Sequence, residues 1–231
     1  MSAQPAERFR FRSVLAVCAH PDDESFGLGA VISTFEGLGI ETTLLCFTRG
    51  EASTLGTNTD QLADRRAIEL KAAAAVLGIR TMRLLSYSDG HLAEVGVDVL
   101  SAEIDGLASA RSIDCLLVFD ERGITGHPDH QAATAAARAA AGRLGLPVLA
   151  WTLPSTVAEA LNVEFGAGFI GRDPSEIDFT IHVDRTLQHR AINCHATQSG
   201  DNPVLRRRLT LQDSGESLIW LDTVSTSRHD S

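Results

Sequence analysis

Short, continuous apolar segments alternate with longer amphipathic segments over the first two thirds of the chain. The apolar segments are rich in Val, Leu, Cys and Phe, as in strands that are buried on both faces of a parallel sheet. They predict strands over residues 13–19, 41–48, 80–85, 113–119 and 147–153. Because a helical segment separates each strand from the next, the pattern predicts right-handed crossovers and a parallel sheet.

Helices are predicted between these strands from the helical spacing of apolar residues and from glycines that follow the last turn. The predicted helices cover residues 25–38, 58–77, 95–110 and 129–143. Ser25 is expected to cap the first helix, because its hydroxyl can accept a hydrogen bond from a free backbone N–H. Gly39 is expected to end that helix.

The last third of the chain is less regular but carries the same two kinds of pattern. It predicts strands over residues 179–183 and 217–221, and helices over residues 185–195 and 203–212. The fold class is therefore predicted as α/β, a doubly wound three-layer α/β/α sandwich with a mostly parallel, Rossmann-like sheet. Residues 1–231 are expected to form a single domain, with a core over about 12–153 and a cap over about 154–231.

The charge balance makes nucleic acid a poor candidate partner. The sequence has 30 acidic and 20 basic residues and a formal net charge of −10. An acidic surface repels phosphate backbones and anionic membranes. The one basic cluster, residues 206–208, is expected to lie on a solvated helix face.

Neither a membrane anchor nor a structural zinc site is expected. No apolar segment approaches the ~18 residues that cross a membrane, and no signal peptide is recognised. The four cysteines include no C-x-x-C pair, so a structural zinc site is not expected. Cys18, Cys46 and Cys115 lie in apolar segments and are expected to be buried. We therefore expect a cytoplasmic protein without membrane insertion.

Two short clusters of imidazole and carboxylate side chains follow predicted strands. The first is HPDDE at residues 20–24, directly after the first strand, and the second is HPDH at residues 127–130, after the fourth. Ligands of open α/β sheets bind at the carboxyl ends of strands where the strand order reverses. In the common order 3-2-1-4-5 the first and fourth strands are neighbours, so the two clusters are expected to meet in one crevice.

The two clusters supply the ligand types of a catalytic metal site with an open position. His20 and Asp23 lie three residues apart in a turn, so both can face one ion. A third ligand from the second cluster would complete a set of two histidines and one aspartate. Zinc fits this set, and so does another divalent transition metal such as Fe(II), Mn(II) or Co(II). Each cluster taken alone would be read as an ordinary turn.

The pair of motifs resembles the PIG-L/LmbE-like family of metal-dependent de-N-acetylases. Weaker matches lie at residues 48–51 (TRGE), 66–69, 77–79, 88–90 and 195–198, so the resemblance spans roughly residues 14–198. This family includes N-acetylglucosaminyl-phosphatidylinositol deacetylases, and deacetylases and conjugate amidases of the mycothiol and bacillithiol pathways.

The resemblance implies roles for six residues of the two clusters. His20, Asp23 and His130 would bind the metal, and Asp22 would be the general base that deprotonates a water molecule. His127, in its imidazolium form, would stabilise the tetrahedral oxyanion and protonate the leaving amine. Asp129 would orient His127 and keep it charged.

The resemblance also implies substrate contacts and shows one departure. Arg66 and Asp89 match positions that contact the sugar or its attached group in the sugar deacetylases. Mycothiol-type deacetylases place a tyrosine two residues before the first histidine of the second cluster, where this sequence has Thr125. The sequence has a single tyrosine, Tyr87.

Several of these side chains also have simpler interpretations. Glu24 is expected to interact favourably with the dipole of the first helix, as a carboxylate in its first turn, rather than to contact a metal. Arg66 could instead pair with Glu69 on one helix face. His195 could be a partner of the site or a hydrogen-bonded core histidine, and Arg49 could bind substrate or form a surface ion pair.

The sequence thus predicts a metal-dependent hydrolase that removes an N-acyl group, with acetyl expected, from an amino sugar or a related amine, with Asp22 as the general base. The alternative enzyme is an amidase that cleaves a larger amide, such as a thiol conjugate or a glycopeptide-type N-acyl group. The rivals from other classes are a nucleotide-binding protein of the same fold and a metal-binding module without activity. The G-x-G-x-x-G spacing is absent near the glycines at 27 and 29, which argues against a nucleotide. A homo-oligomer is an open alternative to a monomer.

Overall fold

One mostly parallel sheet organises the computed structural model, which describes residues 9–53 and 61–222. Within these residues seven strands run in the order β3-β2-β1-β4-β5-β7-β6. The five strands from β1 to β5 pair in parallel, whereas β7 is antiparallel to β5 and β6 is antiparallel to β7. The strands are β1 Ser13–Cys18, β2 Glu41–Thr48, β3 Thr81–Tyr87, β4 Cys115–Phe119, β5 Val148–Thr152, β6 Phe179–His182 and β7 Gly215–Leu221.

Helices cover both faces of this sheet. The α-helices are α1 Asp23–Phe26, α2 Gly29–Gly37, α3 Leu62–Val76, α4 Val97–Arg111, α5 Pro128–Leu144, α6 Ser155–Phe165, α7 Thr186–Cys194, α8 Ala196–Ser199 and α9 Pro203–Gln212. The described residues also contain a kinked helical turn, Gly123–Gly126, and two short 3-10 helices, Leu92–Glu94 and Pro174–Glu176. The side chains of β1 alternate between two hydrophobic clusters, with Val14 and Ala16 in one and Leu15 and Val17 in the other. Because successive strand residues point to opposite faces, these clusters are the two layers of core. The predicted three-layer α/β/α sandwich is confirmed.

The strand order places β1 beside β4, with Leu15 opposite Leu116. The chain reverses its direction of winding at this pair, so a crevice opens beyond the carboxyl ends of the two strands. The HPDDE segment follows β1, and the HPDH segment begins at the N-terminus of α5 after β4. The fold therefore brings the two clusters to the same edge of the sheet.

The helix predicted over residues 25–38 is wrong in its first half. The chain forms the short helix α1 and then the separate helix α2, and Ser25 lies inside α1 rather than at its cap. The two helices meet at Gly27 and Leu28. Position 27 requires glycine, because a Cβ atom there would collide with the Phe119 ring on β4.

The C-terminal part contains two α-helices that the sequence pattern did not predict, α6 and the four-residue α8. The other predicted elements of this part are confirmed with end shifts of a few residues. The predicted start of the helix over residues 58–77 lies outside the described residues, and the described helix begins at Leu62. Cys18, Cys46 and Cys115 are buried and free, as predicted. None of the helices in the described ranges combines the length and the apolar character that a membrane crossing requires.

Candidate active site

Asp23 lies at the centre of the crevice and is fixed by the turn that follows β1. Its Oδ2 accepts hydrogen bonds from the backbone N–H groups of Ala19 and His20, each at 2.9 Å. Its Oδ1 lies 3.1 Å from Nε2 of His130, which comes from the second cluster. The structure therefore brings the two motifs into direct contact across the β1–β4 pair.

Hydrogen bonds fix which ring nitrogen of His20 carries a proton. Nε2 of His20 lies 2.9 Å from Asp89 Oδ1 and 3.2 Å from Asp129 Oδ2. Ionised carboxylates only accept hydrogen bonds, so Nε2 is the donor. In the neutral ring Nδ1 is then unprotonated, and it lies 3.9 Å from Asp23 Oδ2.

His130 presents the opposite nitrogen to the same carboxylate. Its Nδ1 lies 3.3 Å from the carbonyl oxygen of Gly123, which can only accept a hydrogen bond. Nδ1 therefore carries a proton, while Nε2 faces a second acceptor, the Asp23 carboxylate, so a cation between Nε2 and Asp23, either a proton or a metal ion, satisfies both atoms. Histidines that bind a metal characteristically donate their other N–H to a carboxylate or a carbonyl in this way. His20, Asp23 and His130 thus fit a divalent cation.

Two overlapping sets of side chains have the spacing of metal ligands among the described residues. In each set all ligand atoms lie within 4.8 Å of one another: one is His20, Asp23 and His130, and the other is His20, His127 and Asp129. The second set is already engaged, because Asp129 accepts from the backbone N–H groups of Gly90 and Leu92 as well as facing His20. The first set is the better candidate.

The crevice concentrates negative charge around a few imidazoles. Burial opposes the charged form of His20, but its hydrogen bonds to Asp129 and Asp89 raise its pKa to about 10. Burial also opposes ionisation of Asp23, but His130 and His20 lower the pKa of that carboxyl well below its ordinary value. Three carboxylates, those of Asp23, Asp89 and Asp129, surround the imidazoles of His20 and His130. Positive charge, either protons or a metal cation, stabilises this arrangement.

Asp22 lies beside this set without being one of its members, and its carboxylate forms an ion pair with Arg66. Burial raises the pKa of Asp22 to about 6, while the neighbouring Arg66 cation favours the ionised form. The guanidinium of Arg66 lies 3.2 Å from Asp22 Oδ2, donates to Gly50 O at 2.6 Å and also donates to Pro21 O. Arg66 does not pair with Glu69, which binds Thr197 instead.

Replacing Gly50 with alanine is expected to displace Arg66 from Asp22. Gly50 has a φ of +68°, and a Cβ atom there would collide with the guanidinium. Displacement of a carboxylate next to the reacting atoms is expected to lower kcat/KM by about 10- to 100-fold. Release of free amine from an N-acetylated amino sugar, together with metal content per chain, measures the effect.

Gly39→Ala is the matched control for Gly50→Ala. Gly39 has a φ of +77°, and a Cβ atom added there would meet no other atom within 4 Å, so the variant carries the backbone cost without the collision. It is expected to lower the free energy of unfolding by about 1 kcal/mol and to leave kcat/KM unchanged. Equal kcat/KM in the two variants would contradict the positioning of Asp22 by Arg66.

The expected relation between Asp129 and His127 needs correction. The carboxylate of Asp129 contacts His20, and its backbone N–H, not its side chain, donates to His127 Nδ1 at 3.2 Å. Burial and the neighbouring His130 and His20 lower the pKa of His127 below its ordinary value. These surroundings disfavour the imidazolium form of His127, and because Nδ1 accepts the Asp129 N–H, the neutral ring carries its proton on Nε2; the Asp129 carboxylate does not hold His127 charged.

These side chains line a cleft of about 630 Å³ with two unlike walls. One wall is polar and includes Arg66, Asp89 and the backbone of Gly90. Arg66 and Asp89 both have protein partners there, since Asp89 also accepts from Ala52 N–H at 2.9 Å. The opposite wall is largely apolar and includes Phe26, Phe119, Ile124, Trp151, Phe169 and Leu205.

Sequence reasoning missed two features beside the cleft. Glu24 and His195 are fully buried and lie 2.6 Å apart, Oε1 to Nε2, so Glu24 is a buried partner of His195 rather than a residue that only favours a helix dipole. No local pattern links two residues so distant in sequence. Arg208 is buried at the apolar wall, which corrects the expected solvated face. Its spacing from Leu205, Leu209 and Gln212 is that of one buried helix face and could have shown this.

The remaining candidates lie away from the cleft or at its edge. Arg49 forms an ion pair with Asp64 at 2.9 Å on the surface, which is the simpler of its two interpretations. Thr125 lines the cleft. Tyr87 does not: its hydroxyl faces Glu103 at 3.4 Å on another part of the molecule. The only tyrosine of the sequence therefore does not replace the one absent at position 125.

Comparison with known proteins finds relatives that carry this fold. The family model described as PIG-L, GlcNAc-PI de-N-acetylase, matches residues 15–141. A 1D-myo-inositol 2-acetamido-2-deoxy-α-D-glucopyranoside deacetylase from Salinispora arenicola is 30% identical over 238 residues, which cover 83% of this chain and 77% of that protein.

Two solved structures are similar throughout the fold. A deacetylase of the teicoplanin biosynthesis pathway has a TM-score of 0.70 and 19% identity, over 93% of this chain and 100% of its own. The N,N'-diacetylchitobiose deacetylase from Pyrococcus horikoshii has a TM-score of 0.66 and 18% identity, over 93% of this chain and 85% of its own. At these identities the likeness shows a shared fold.

The family model covers both the HPDDE and the HPDH segments, on which the sequence resemblance depends. The match extends over more than half of the chain, and the Salinispora relative aligns over most of it. The chain belongs to the PIG-L family of GlcNAc-PI de-N-acetylases.

Proposed function

We propose that this protein is a metal-dependent hydrolase that removes an N-acetyl group from an amino sugar. One observation carries the proposal: His20, Asp23 and His130 converge in a cleft beside Asp22, a carboxylate that Arg66 holds in place. Binding a metal alone would need the first three residues but not a carboxylate positioned next to them. Membership of a de-N-acetylase family supports the same reaction.

His20, Asp23 and His130 would hold the divalent ion, which we expect to be zinc or another divalent transition metal. When bound, the ion supplies Lewis acidity, which polarises the amide carbonyl and makes a water molecule more acidic. The contacts of His20 with Asp89 and Asp129, and of His130 with the Gly123 carbonyl, orient the two imidazoles for this task. These contacts would also keep the rings in place when substrates enter.

Asp22 acts as the general base. Its carboxylate accepts a proton from water as the water oxygen attacks the amide carbon, and it later returns this proton to the leaving nitrogen. The amide then becomes a carboxylic acid and an amine with no other reactant. Arg66 keeps Asp22 ionised and in place through the contact at 3.2 Å. General bases contribute on the order of 10²–10⁴ to rates.

His127 stabilises the oxyanion that forms on the amide oxygen. Its Nδ1 accepts the Asp129 backbone N–H at 3.2 Å, so its Nε2 carries the proton and can donate it in a hydrogen bond. A fixed donor aimed at developing charge is worth about 2.7–4 kcal/mol in comparable enzymes. A neutral imidazole is a poor acid for the leaving amine, which is why we assign that proton to Asp22.

The polar wall of the cleft suits a sugar. Its carboxylate, guanidinium and backbone groups can exchange hydrogen bonds with hydroxyls, and we propose that Arg66 and Asp89 face the sugar there. The Salinispora relative is named for an acetamido-glucopyranoside substrate, which supports an amino sugar. The apolar wall and the volume of about 630 Å³ favour one alternative, cleavage of a larger N-acyl group.

The experiment that tests the proposal measures release of acetate and free amine from N-acetylated amino sugars. Purified protein is incubated with N-acetylglucosaminyl-inositol, with N,N'-diacetylchitobiose and with glucosamines that carry longer N-acyl chains. We expect amine release from at least one N-acetyl sugar, its loss after treatment with a chelator, and its recovery on addition of one divalent transition metal.

Preference for the longer N-acyl chains would favour the alternative of a larger amide. Protein that binds zinc, Fe(II), Mn(II) or Co(II) but releases no amine from any of these compounds would contradict the proposed reaction. A protein that binds no metal at all would contradict the assignment of the site.

A further inference from the structure

Arg208 is a buried cation at the end of the apolar wall. It lies on α9, its residue is only 4% exposed, and it lines the cleft. Burial lowers the pKa of Arg208 to about 10, so the guanidinium is still protonated at pH 7. A charge taken out of water in this way is costly unless another charge compensates it.

Within the described part of the chain no carboxylate forms an ion pair with Arg208. Its partners there are neutral: it donates to Gln212 Oε1 at 3.1 Å and to Phe26 O, and its Cζ lies 5.0 Å from the centroid of the Trp151 ring. A guanidinium has five N–H donors, so these two hydrogen bonds leave others unused.

The buried acid that favours the charged form of Arg208 is Glu216, and Arg185, which pairs with Glu216, opposes that effect. Glu216 is fully buried and pairs with Arg185, and it also accepts hydrogen bonds from Trp151 Nε1 at 2.6 Å and from Gln212 Nε2 at 2.9 Å. One buried anion thus serves Arg185, and the charge of Arg208 remains in excess at the cleft.

A chain of ring contacts connects this cation to the candidate metal ligands. The ring centroids of His130 and Phe119 are 4.8 Å apart, those of Phe119 and Trp151 are 5.3 Å apart, and Arg208 follows over Trp151. These residues and Asp22 line the same cleft, so a substrate whose amide lies beside His130 and Asp22 can extend within it past Phe119 and Trp151 to Arg208.

We propose that Arg208 binds a carboxylate carried by the substrate. The guanidinium presents parallel N–H donors that match the two oxygens of a carboxylate, and a bound carboxylate would compensate the buried charge. This inference rests on the proposed function and narrows its substrate class to N-acylated amino sugars with an acidic substituent. The carboxylate can belong to the aglycone or to the N-acyl group, because Arg208 would recognise the same carboxylate group in either case.

The test measures binding by calorimetry, so it does not depend on turnover. One pair of probes is carboxymethyl glucosaminide and carbamoylmethyl glucosaminide, and the other is N-succinylglucosamine and N-succinamoylglucosamine. Within each pair a neutral amide replaces the carboxylate at nearly constant shape. We expect one carboxylate probe to bind about 10- to 100-fold more tightly than its amide partner, and the pair that shows this preference identifies the end of the substrate.

Variants of the adjacent residues Arg207 and Arg208 show which of the two arginines causes the preference for the carboxylate probe. Arg208→Met is expected to abolish it while keeping the affinity for the amide probe, and Arg208→Gln, which retains a polar group toward Phe26 O, is expected to do the same if the methionine variant does not fold. Arg207→Met is the matched control, because Arg207 is exposed and pairs with Glu164 at 2.7 Å; it should keep the preference.

Two outcomes would overturn the inference: equal binding within both probe pairs in the wild-type protein, or a preference that survives the loss of Arg208. Failure of the proposed function looks different. In that case amine release is absent from every N-acyl sugar, while the carboxylate preference in binding and its dependence on Arg208 are still measurable.

Discussion

Replacing His130 with alanine is expected to remove most of the bound divalent ion from the protein. Nε2 of His130 lies 3.1 Å from Asp23 and supplies one of the three converging ligand atoms. Loss of a partner that only orients a ligand typically costs 10- to 100-fold in metal affinity, so loss of a ligand itself should cost at least about 100-fold. Metal content per chain after gel filtration, and the dissociation constant in competition with a chelator, measure this change.

His189→Ala is the matched control for this prediction. His189 is an exposed histidine on α7, away from the crevice, and its replacement should leave the metal content unchanged. The melting temperature gives a readout that is independent of activity, since an ion that binds only the folded state stabilises it by mass action. Added zinc should raise the melting temperature of the wild type and of the His189 variant, but much less that of the His130 variant.

Unchanged metal content after single replacements of His20, Asp23 and His130 would contradict the assignment. The alternative set of His20, His127 and Asp129 makes the opposite prediction for two of these positions. If that set binds the ion, His130→Ala keeps the metal and His127→Ala loses it. The two variants measured side by side therefore distinguish the two sets.

The centre of the fold could be predicted because the strands β1, β2, β4 and β5 are buried on both faces. Such strands are continuous apolar segments that stand out from the amphipathic helices between them, and the β1–β4 adjacency follows from the usual strand order of a doubly wound sheet. The break in the helix after β1 was not predicted, and neither was the close approach of Gly27 at this break to Phe119, a residue from another strand. Local sequence carries no record of that contact.

The site could be predicted only in part, for a similar reason. The HPDDE and HPDH motifs predict which side chains come together, but not which of them form hydrogen-bonded pairs. The Asp129 carboxylate faces His20 rather than its neighbour in sequence, His127. This pairing depends on the loop after β3, where the backbone N–H groups of Gly90 and Leu92 hold Asp129. A carboxylate fixed from three sides has no freedom to turn toward the histidine two residues before it.

Asp22→Asn is expected to retain the metal and to lower kcat by about 10²–10⁴. Asparagine keeps the size and polarity of the side chain but cannot accept a proton from water at neutral pH. Asp22 is 16% exposed at its side chain and faces Arg66 at 3.2 Å, whereas Asp23 faces the two histidines. The neighbouring carboxylates thus have separate surroundings, which supports a base at Asp22 and a ligand at Asp23.

Three measurements on the same preparation make this prediction specific. Metal content should equal that of the wild type, and KM should change little while kcat falls, since the lost interaction acts in the transition state. Asp64→Asn is the matched control, because Asp64 also pairs with an arginine, Arg49, but at the surface with its side chain 74% exposed. That variant should keep both the metal and the turnover of the wild type.

The Asp22 carboxylate also neutralises Arg66, so its loss has a structural cost that must be separated from the loss of a base. Arg66 is 3% exposed and would face a neutral amide in Asp22→Asn, which should lower the free energy of unfolding by a few kcal/mol. Denaturant unfolding of the variant measures this cost, and kcat is compared at temperatures where both proteins are fully folded. Loss of the ion in Asp22→Asn would make Asp22 a ligand. Near wild-type turnover in the folded, metal-loaded variant would show that another group takes the proton.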